Sequence, residues 1–415
     1  MSYTTIVHAT VVRPHADRAQ LSVEANRTVV LKNGVVESIG NRLPETTGKV
    51  LNAGGRLVTP GLIDAHTHAL FLGDRASEFC ARATGASYLD IARDGGGILA
   101  TVWPTRNGSA VDRRRRLRAR LKRLLANGVT TAEVKTGYGL TRDDELKHME
   151  ELATLDEPDL PRVLPTLMAA HAIPPEAAGD PSGREKWVRT ITDELIPEAA
   201  ERALVGRVDA FVEETAYTPD EARIIARATR RANLALHLHV DQLSAGNGAL
   251  LAAELHAQAA AHLEHTDPQG VAALAKAGTV AILLPTATLT AKEPLYAPAR
   301  RLLSAGVAVA LSTNLNPGTA PTESTALMFF LASVKLGLTP EETLWAATRG
   351  GARALGLDTG RLEPGSAADL VVWNAFDLAH LSYHAGINHV RQVILGGKLV
   401  LDRSVAADEA CHGLL

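Results

Sequence analysis

The sequence predicts an α/β protein, with a (β/α)8 TIM-type barrel over residues 60–359 and a small β-sandwich domain assembled from residues 1–59 and 360–415. Three observations predict it. Apolar strand segments alternate with helical patterns about eight times between residues 60 and 355, as in a parallel barrel or a doubly wound sheet. No Gly-X-Gly-X-X-Gly stands between a strand and a helix, which removes the usual dinucleotide mark of the doubly wound alternative. Short strands with tight turns lie on both sides of that region, too few on either side to bury a core alone.

In chain order, residues 5–8, 28–32 and 35–39 read as strands, the last two joined by Asn33-Gly34, a strong hairpin signal. Residues 60–68 read as a buried strand ending in two histidines. Residues 109–127 carry Leu117, Leu121, Leu124 and Leu125 on one helical face, with Ser109 or Asp112 as N-cap and Gly128 beyond the end. The Arg113–Arg116 run on that helix reads as a solvated outer face rather than a nucleic-acid patch. Strands follow at 129–135, 162–168, 208–212, 234–240, 259–262, 280–284 and 307–311, with helices near 143–155 and 219–232. Residues 368–373, 390–395 and 398–401 return to strand texture, the last two across Gly396-Gly397.

Composition narrows the function classes. With 46% hydrophobic residues, 21% charged residues and a net charge of -3, nothing points to disorder, nucleic acid or an anionic membrane. A small-molecule substrate is the expected partner. The two cysteines, Cys80 and Cys411, build neither a disulfide framework nor a cysteine-rich zinc module, which favours a reducing cytoplasm. The first residues lack the basic start and apolar core of a signal peptide, and no apolar run reaches membrane-span length, so a cytoplasmic location is expected.

The 15 histidines are the compositional oddity. Side chains at i and i+2 of a strand point the same way, so His66 and His68 can present two imidazoles to one metal ion. His171, His239 and His262 end further strands, Tyr138 follows another, and Asn314-Leu315-Asn316-Pro317-Gly318 follows the last. The carboxyl ends of barrel strands are where this fold does chemistry, so five histidines there predict a metal site. His262 or the metal is suited to a carbonyl oxygen gaining negative charge. His237 shares the strand face of His239 and reads as a core histidine. Gln242, three residues beyond His239, is close enough to the metal end to touch substrate, or equally to hold a loop.

The chain resembles the imidazolonepropionases of the metal-dependent amidohydrolase superfamily. The likeness rests on residues 60–68, 95–102 (GGGILATV), 133–140 (EVKTGYGL), 170–175 (AHAIPP), 239–242, 262–264 and 316–319 (NPGT), and runs through the whole barrel and both flanks. It implies hydrolysis of the ring amide of 4-imidazolone-5-propanoate to N-formimidoyl-L-glutamate in histidine degradation. It further implies one divalent or trivalent metal ion, zinc or iron, on His66, His68 and His239. Substrate contacts are implied for Arg75, Tyr88, Tyr138, His171, Gln242, Asn316, Gly318 and Thr319, along with a possible homodimer. Arg75 suits bidentate pairing with the propionate tail. Lys135 does not match the strand position of the bridging lysines in two-metal relatives, so a single metal is expected.

One position departs from the family pattern. The resemblance implies an aspartate as last ligand, in a segment Thr-Asp-hydrophobic-Asn-Pro-Gly, where this chain has Asn314. An amide is nearly isosteric with the carboxylate but takes no proton at neutral pH. Asn314 is therefore expected to weaken the metal site and remove the general base. The intact surroundings favour an engineered inactive variant. A natural paralogue that binds without turnover is the second explanation; compensation by Asp241 is the third, which strand parity opposes. An amidohydrolase acting on another cyclic amide or a ring amidine is the alternative enzyme reading.

Overall fold

The computed structural model describes residues 3–17, 19–41, 48–85, 96–177 and 179–404. Tyr88 and Cys411, both singled out in the sequence, lie outside the described residues. The chain opens with β1 (Tyr3–Pro14), β2 (Leu21–Lys32), β3 (Val35–Gly40), β4 (Lys49–Asn52) and β5 (Leu57–Pro60). Eight further strands follow: β6 (Leu62–Asp64), β7 (Val129–Lys135), β8 (Arg162–Ala170), β9 (Arg207–Val212), β10 (Ala235–Val240), β11 (Ala259–His262), β12 (Val280–Leu283) and β13 (Val309–Leu311). The last three are β14 (Leu370–Trp373), β15 (Val390–Leu395) and β16 (Lys398–Asp402).

Strands β6 to β13 pair in parallel and in chain order, with helices between them, giving a nearly closed barrel. Residues beyond the first and last strands draw the two edges together. Asn314 N donates to His66 O at 3.1 Å and His68 N to Leu315 O at 2.8 Å. Asp64 accepts from Thr313 N at 3.2 Å and from its Oγ1 at 2.6 Å. Because the chain meets itself along this seam, position 314 is placed beside the histidines that follow β6.

Two glycines let a helix press against the same seam. A Cβ at Gly350 would stand 2.1 Å from Val309 O, and one at Gly351 2.6 Å from Ile63 O. Neither backbone oxygen can swing away as a side chain would. Gly350→Ala is therefore expected to lower stability by about 3 kcal/mol through overpacking. Urea denaturation checks this, and an unchanged midpoint would contradict the close-approach account.

The strands at both chain ends form one mixed sheet, ordered β16-β15-β14-β5-β1-β2-β3, with β4 also paired to β1. Alternate residues serve different cores, as the two-residue strand period requires. Leu57, Val371, Trp373 and Val393 join the large core that includes the barrel. Val58, Leu370, Val372 and Ile394 pack with Ile6, Val29, Leu31 and Leu51 in a separate core. Val36 N donates to Ser366 O and Ala368 N to Gly34 O, both at 2.9 Å, so the β3 edge curls back onto the segment leading into β14. Both hairpins turn with positive φ at both central residues, Asn33 (50°) and Gly34 (84°), then Gly396 (52°) and Gly397 (78°).

The Ala110–Ala126 helix is capped by Ser109, whose side chain accepts from Asp112 N. Its arginine run is not wholly a solvated face. Arg113 is buried, donating to Glu151 and, through Nη1, to the carbonyls of Thr105 and Gly108. Among the described residues no helix is long and apolar enough to cross a membrane.

Candidate active site

The site lies at the carboxyl ends of the barrel strands. His66, His239 and His262 are buried, and one ring nitrogen from each lies within 4.8 Å of the others. His68 joins them through its Nε2, 3.2 Å from His239 Nε2. Asn314 is 2% exposed. Its Oδ1, both nitrogens of His66, and Nδ1 of His68 and of His262 are buried with no hydrogen-bond partner among the described residues. An unsatisfied buried polar atom costs about 1–3 kcal/mol. Several collected at one point fit a cation that takes their lone pairs, and the donor set of imidazoles plus an amide oxygen is chemically suited to one.

Protonation favours the same use. Burial, followed by nearby positive groups, holds His66 and His68 well below the usual imidazole range. Burial also brings His239 down to about 4, although Asp209 opposes it. Neutral imidazole is the form that ligates metal. His239 Nδ1 donates to Asp209 Oδ1 at 3.0 Å, which leaves Nε2 as the lone-pair nitrogen facing His68. Behind Asp209, Lys135 Nζ lies 2.8 Å from its Oδ2 and 2.6 Å from Glu133 Oε1, all three side chains being fully buried. Lys135 thus supports the histidine layer from behind through these two carboxylates.

The strand ends carry backbone conformations that most residues avoid. His262 (φ 78°), Leu263 (φ 70°) and Asn314 (φ 55°) all adopt the left-handed region. Asn and Asp tolerate it better than other non-glycine residues.

A cavity of about 870 Å³ opens above these groups, and His68, Arg75, Tyr138, His171, Gln242 and Asn316 are among its lining residues, with His239, His262, Asn314 and Thr319. His171 stacks on His68 with ring centroids 4.9 Å apart, and its Nδ1 lies 3.1 Å from Gly137 O, which makes Nε2 the acceptor nitrogen. Burial brings this imidazole down to about 3. Tyr138 meets His171 edge-on at 5.5 Å, and burial pushes its phenol up. Asn316 shapes the loop: Oδ1 accepts from Gly318 N and Thr319 N, each at 2.8 Å, and Nδ2 donates to Asn314 O at 2.7 Å. Gly318 is outside the lining set but leaves room for Arg75, whose Nη1 would stand 2.2 Å from a Cβ there. Arg75 is already engaged, donating from Nε (2.8 Å) and Nη2 (2.6 Å) to Glu78 Oε2.

Two residues noted in the sequence are outside this arrangement. His237 is buried with Nε2 3.3 Å from Gln258 Oε1. Asp241 engages both oxygens with Gly248 N, Ala249 N and Thr266 Oγ1, none of them part of the histidine cluster. The sequence reading missed Asp209, Arg82 and Glu78. A charged residue inside the apolar stretch Val208-Asp209-Ala210-Phe211 was the available signal for the first.

Comparison with known proteins agrees with this geometry. The Amidohydrolase family model matches residues 57–400. The imidazolonepropionase of Anaeromyxobacter sp. (strain K) is 47% identical over 367 residues, covering 88% of this chain and 86% of that protein. That of Myxococcus xanthus is 43% identical over 401 residues, covering 94% of each. Among solved structures, a 5-methylcytosine deaminase from Klebsiella pneumoniae superposes with a TM-score of 0.72 at 20% identity, covering 96% of this chain and 98% of that one. An atrazine chlorohydrolase from Arthrobacter aurescens superposes with a TM-score of 0.69 at 18% identity, covering 96% and 95%; at such identities these two show the fold alone. Barrel, metal-suited histidine cluster and close relatives agree, and the chain belongs to the amidohydrolase family and, within it, to the imidazolonepropionases.

Proposed function

We propose that this chain hydrolyses the ring amide of 4-imidazolone-5-propanoate to N-formimidoyl-L-glutamate, the histidine-degradation step its relatives are named for, at a rate held down by Asn314. The observation that carries this reading is the set of unpartnered imidazole nitrogens at the floor of a cavity in a chain so close to the imidazolonepropionases. His66, His68, His239 and Asn314 Oδ1 would hold one ion, zinc or iron, with His262 in the same group. When bound, such an ion acts as a Lewis acid and acidifies water.

The chain's own groups do the remaining work. His262, with Glu264 Oε1 3.5 Å from its Nδ1, is placed to steady negative charge on the opening ring. His171 Nε2 and the Tyr138 hydroxyl offer an acceptor and a donor for the heterocycle's polar edge. Asn314 can orient water but cannot hold its proton, so the base expected at this place is missing. We place the protein in the cytoplasm on its low cysteine content.

The substrate class is tested in the metal-loaded protein carrying Asn314→Asp. Turnover of imidazolonepropionate is compared with that of an imidazolone bearing an uncharged alkyl group in place of the propionate. A kcat/KM advantage of about 10- to 100-fold for the acid is expected from a charge-assisted contact. Equal values would point instead to a neutral cyclic amide or amidine as the substrate.

A further inference from the structure

Glu145 lies in the first turn of the helix Arg142–Ala153 and is fully buried, yet no cation pairs with it among the described residues. Backbone meets its charge instead. Oε1 accepts from Gly139 N and Leu140 N, each at 2.8 Å, and Gly137 N donates to both oxygens, at 3.2 and 3.1 Å. The helix adds to this, since negative charge is favoured in its first turn. One carboxylate thus gathers three N–H groups of the loop that carries Tyr138.

That loop needs holding. Leu140 has a φ of 52°, a left-handed conformation that is costly for a non-glycine residue. Gly137 has a φ of 102°, and a Cβ there would stand 2.7 Å from Met168 O and 3.0 Å from His171 Nδ1. The two sides of Gly137 link the carboxylate to the cavity. Its N–H is bonded to Glu145, while its carbonyl accepts from His171 Nδ1 at 3.1 Å and so favours the tautomer with Nε2 as acceptor. Tyr138 and His171 line the cavity; Glu145 does not. We propose that Glu145 is a positioning residue, which through the Gly137–Leu140 loop sets where the Tyr138 hydroxyl and His171 Nε2 meet the substrate's ring. This inference rests on the proposed contacts of those two residues with the heterocycle.

The test uses the metal-loaded chain as it stands, with Asn314, and needs no turnover. Calorimetry measures the affinity for imidazole-4-propanoate. In Glu145→Gln, whichever way the amide turns, an NH2 group faces Gly137 N, so two donors oppose each other at the link to His171. Affinity should fall by about 10-fold, with metal content unchanged because His66, His68, His239 and Asn314 lie on other elements. In a Tyr138→Phe/His171→Ala background the same change should cost less than about twofold, since the groups it acts through are gone. Glu145→Asp, which keeps the charge but withdraws it by one methylene, should give the same pattern and carries the test if the glutamine variant does not fold. Unchanged affinity in the single variants, or an equal loss in both backgrounds, would overturn the role of Glu145 and leave the family reading standing. If Tyr138→Phe/His171→Ala alone leaves affinity at the parent's value, the proposed ring contacts fail and the role of Glu145 falls with them.

Discussion

Asn314→Asp is expected to raise hydrolysis of imidazolonepropionate by about 10²–10⁴-fold in the metal-loaded protein, the usual contribution of a positioned general base. The backbone permits the change, since φ at position 314 is 55° and aspartate tolerates that region as asparagine does. The side chain also has nothing to lose, because Asn314 Oδ1 has no partner and the backbone N–H bond to His66 O is kept. Stability should move in opposite directions with and without metal. In the metal-free protein a carboxylate at a position 2% exposed has no cation in contact, so the melting temperature should drop. With zinc or iron present the carboxylate adds a charged ligand, metal affinity rises, and the melting temperature should exceed that of the parent in the same metal. Product formation, metal content and melting are read together. An Asn314→Asp variant that binds metal more tightly yet yields no N-formimidoyl-glutamate would contradict the proposed activity, not the metal site.

What the sequence made legible follows from how local each signal is. Hairpins at Asn33-Gly34 and Gly396-Gly397 are set by the residues in the turn, and the structure has both. The barrel strands were readable because continuous apolar runs such as Val280–Leu283 are buried on both faces. His66, His68, His171, His239 and His262 could be located because each ends or follows a strand, and strand ends converge in this fold. The charges behind them were not readable. Lys135, Asp209 and His239 are contributed by β7, β9 and β10, and their contact depends on a register that pairs Asp209 with His237, one diagonal step below His239. Arg75 shows the same limit. Its place at the cavity was readable from motif, whereas its pairing with Glu78 depends on side-chain packing around Gly97 and Gly318.

Lys135→Met tests the support beneath the histidines and should be the most destabilising change predicted here. The lysine is fully buried and shared between Glu133 and Asp209. Burial alone would lower its pKa, but the two carboxylates outweigh that and raise it. Burial likewise pushes Asp209 upward, yet His239 and Lys135 overcome it and hold the carboxylate well below its usual range. Removing the cation strands two buried carboxylates, an expected loss of about 3–5 kcal/mol near neutral pH. Methionine keeps most of the stem's volume, so a cavity contributes little. The sign of the pH dependence separates charge from packing. In the parent, the depressed Asp209 contributes stability that is fully present above the unfolded carboxylate pKa and is lost only below it, so it stays constant between pH 7.5 and pH 5. In the variant the stranded carboxylates have raised pKa values, so protonating them relieves the folded state as pH falls. This relief in the variant narrows the deficit, and urea denaturation of the metal-free proteins should show a smaller difference at pH 5 than at pH 7.5. A deficit independent of pH would mean that Lys135 serves packing only. With Asp209 no longer held against His239 Nδ1, metal affinity should also fall by about 10- to 100-fold, because the imidazole loses the contact that fixes its tautomer and ring plane.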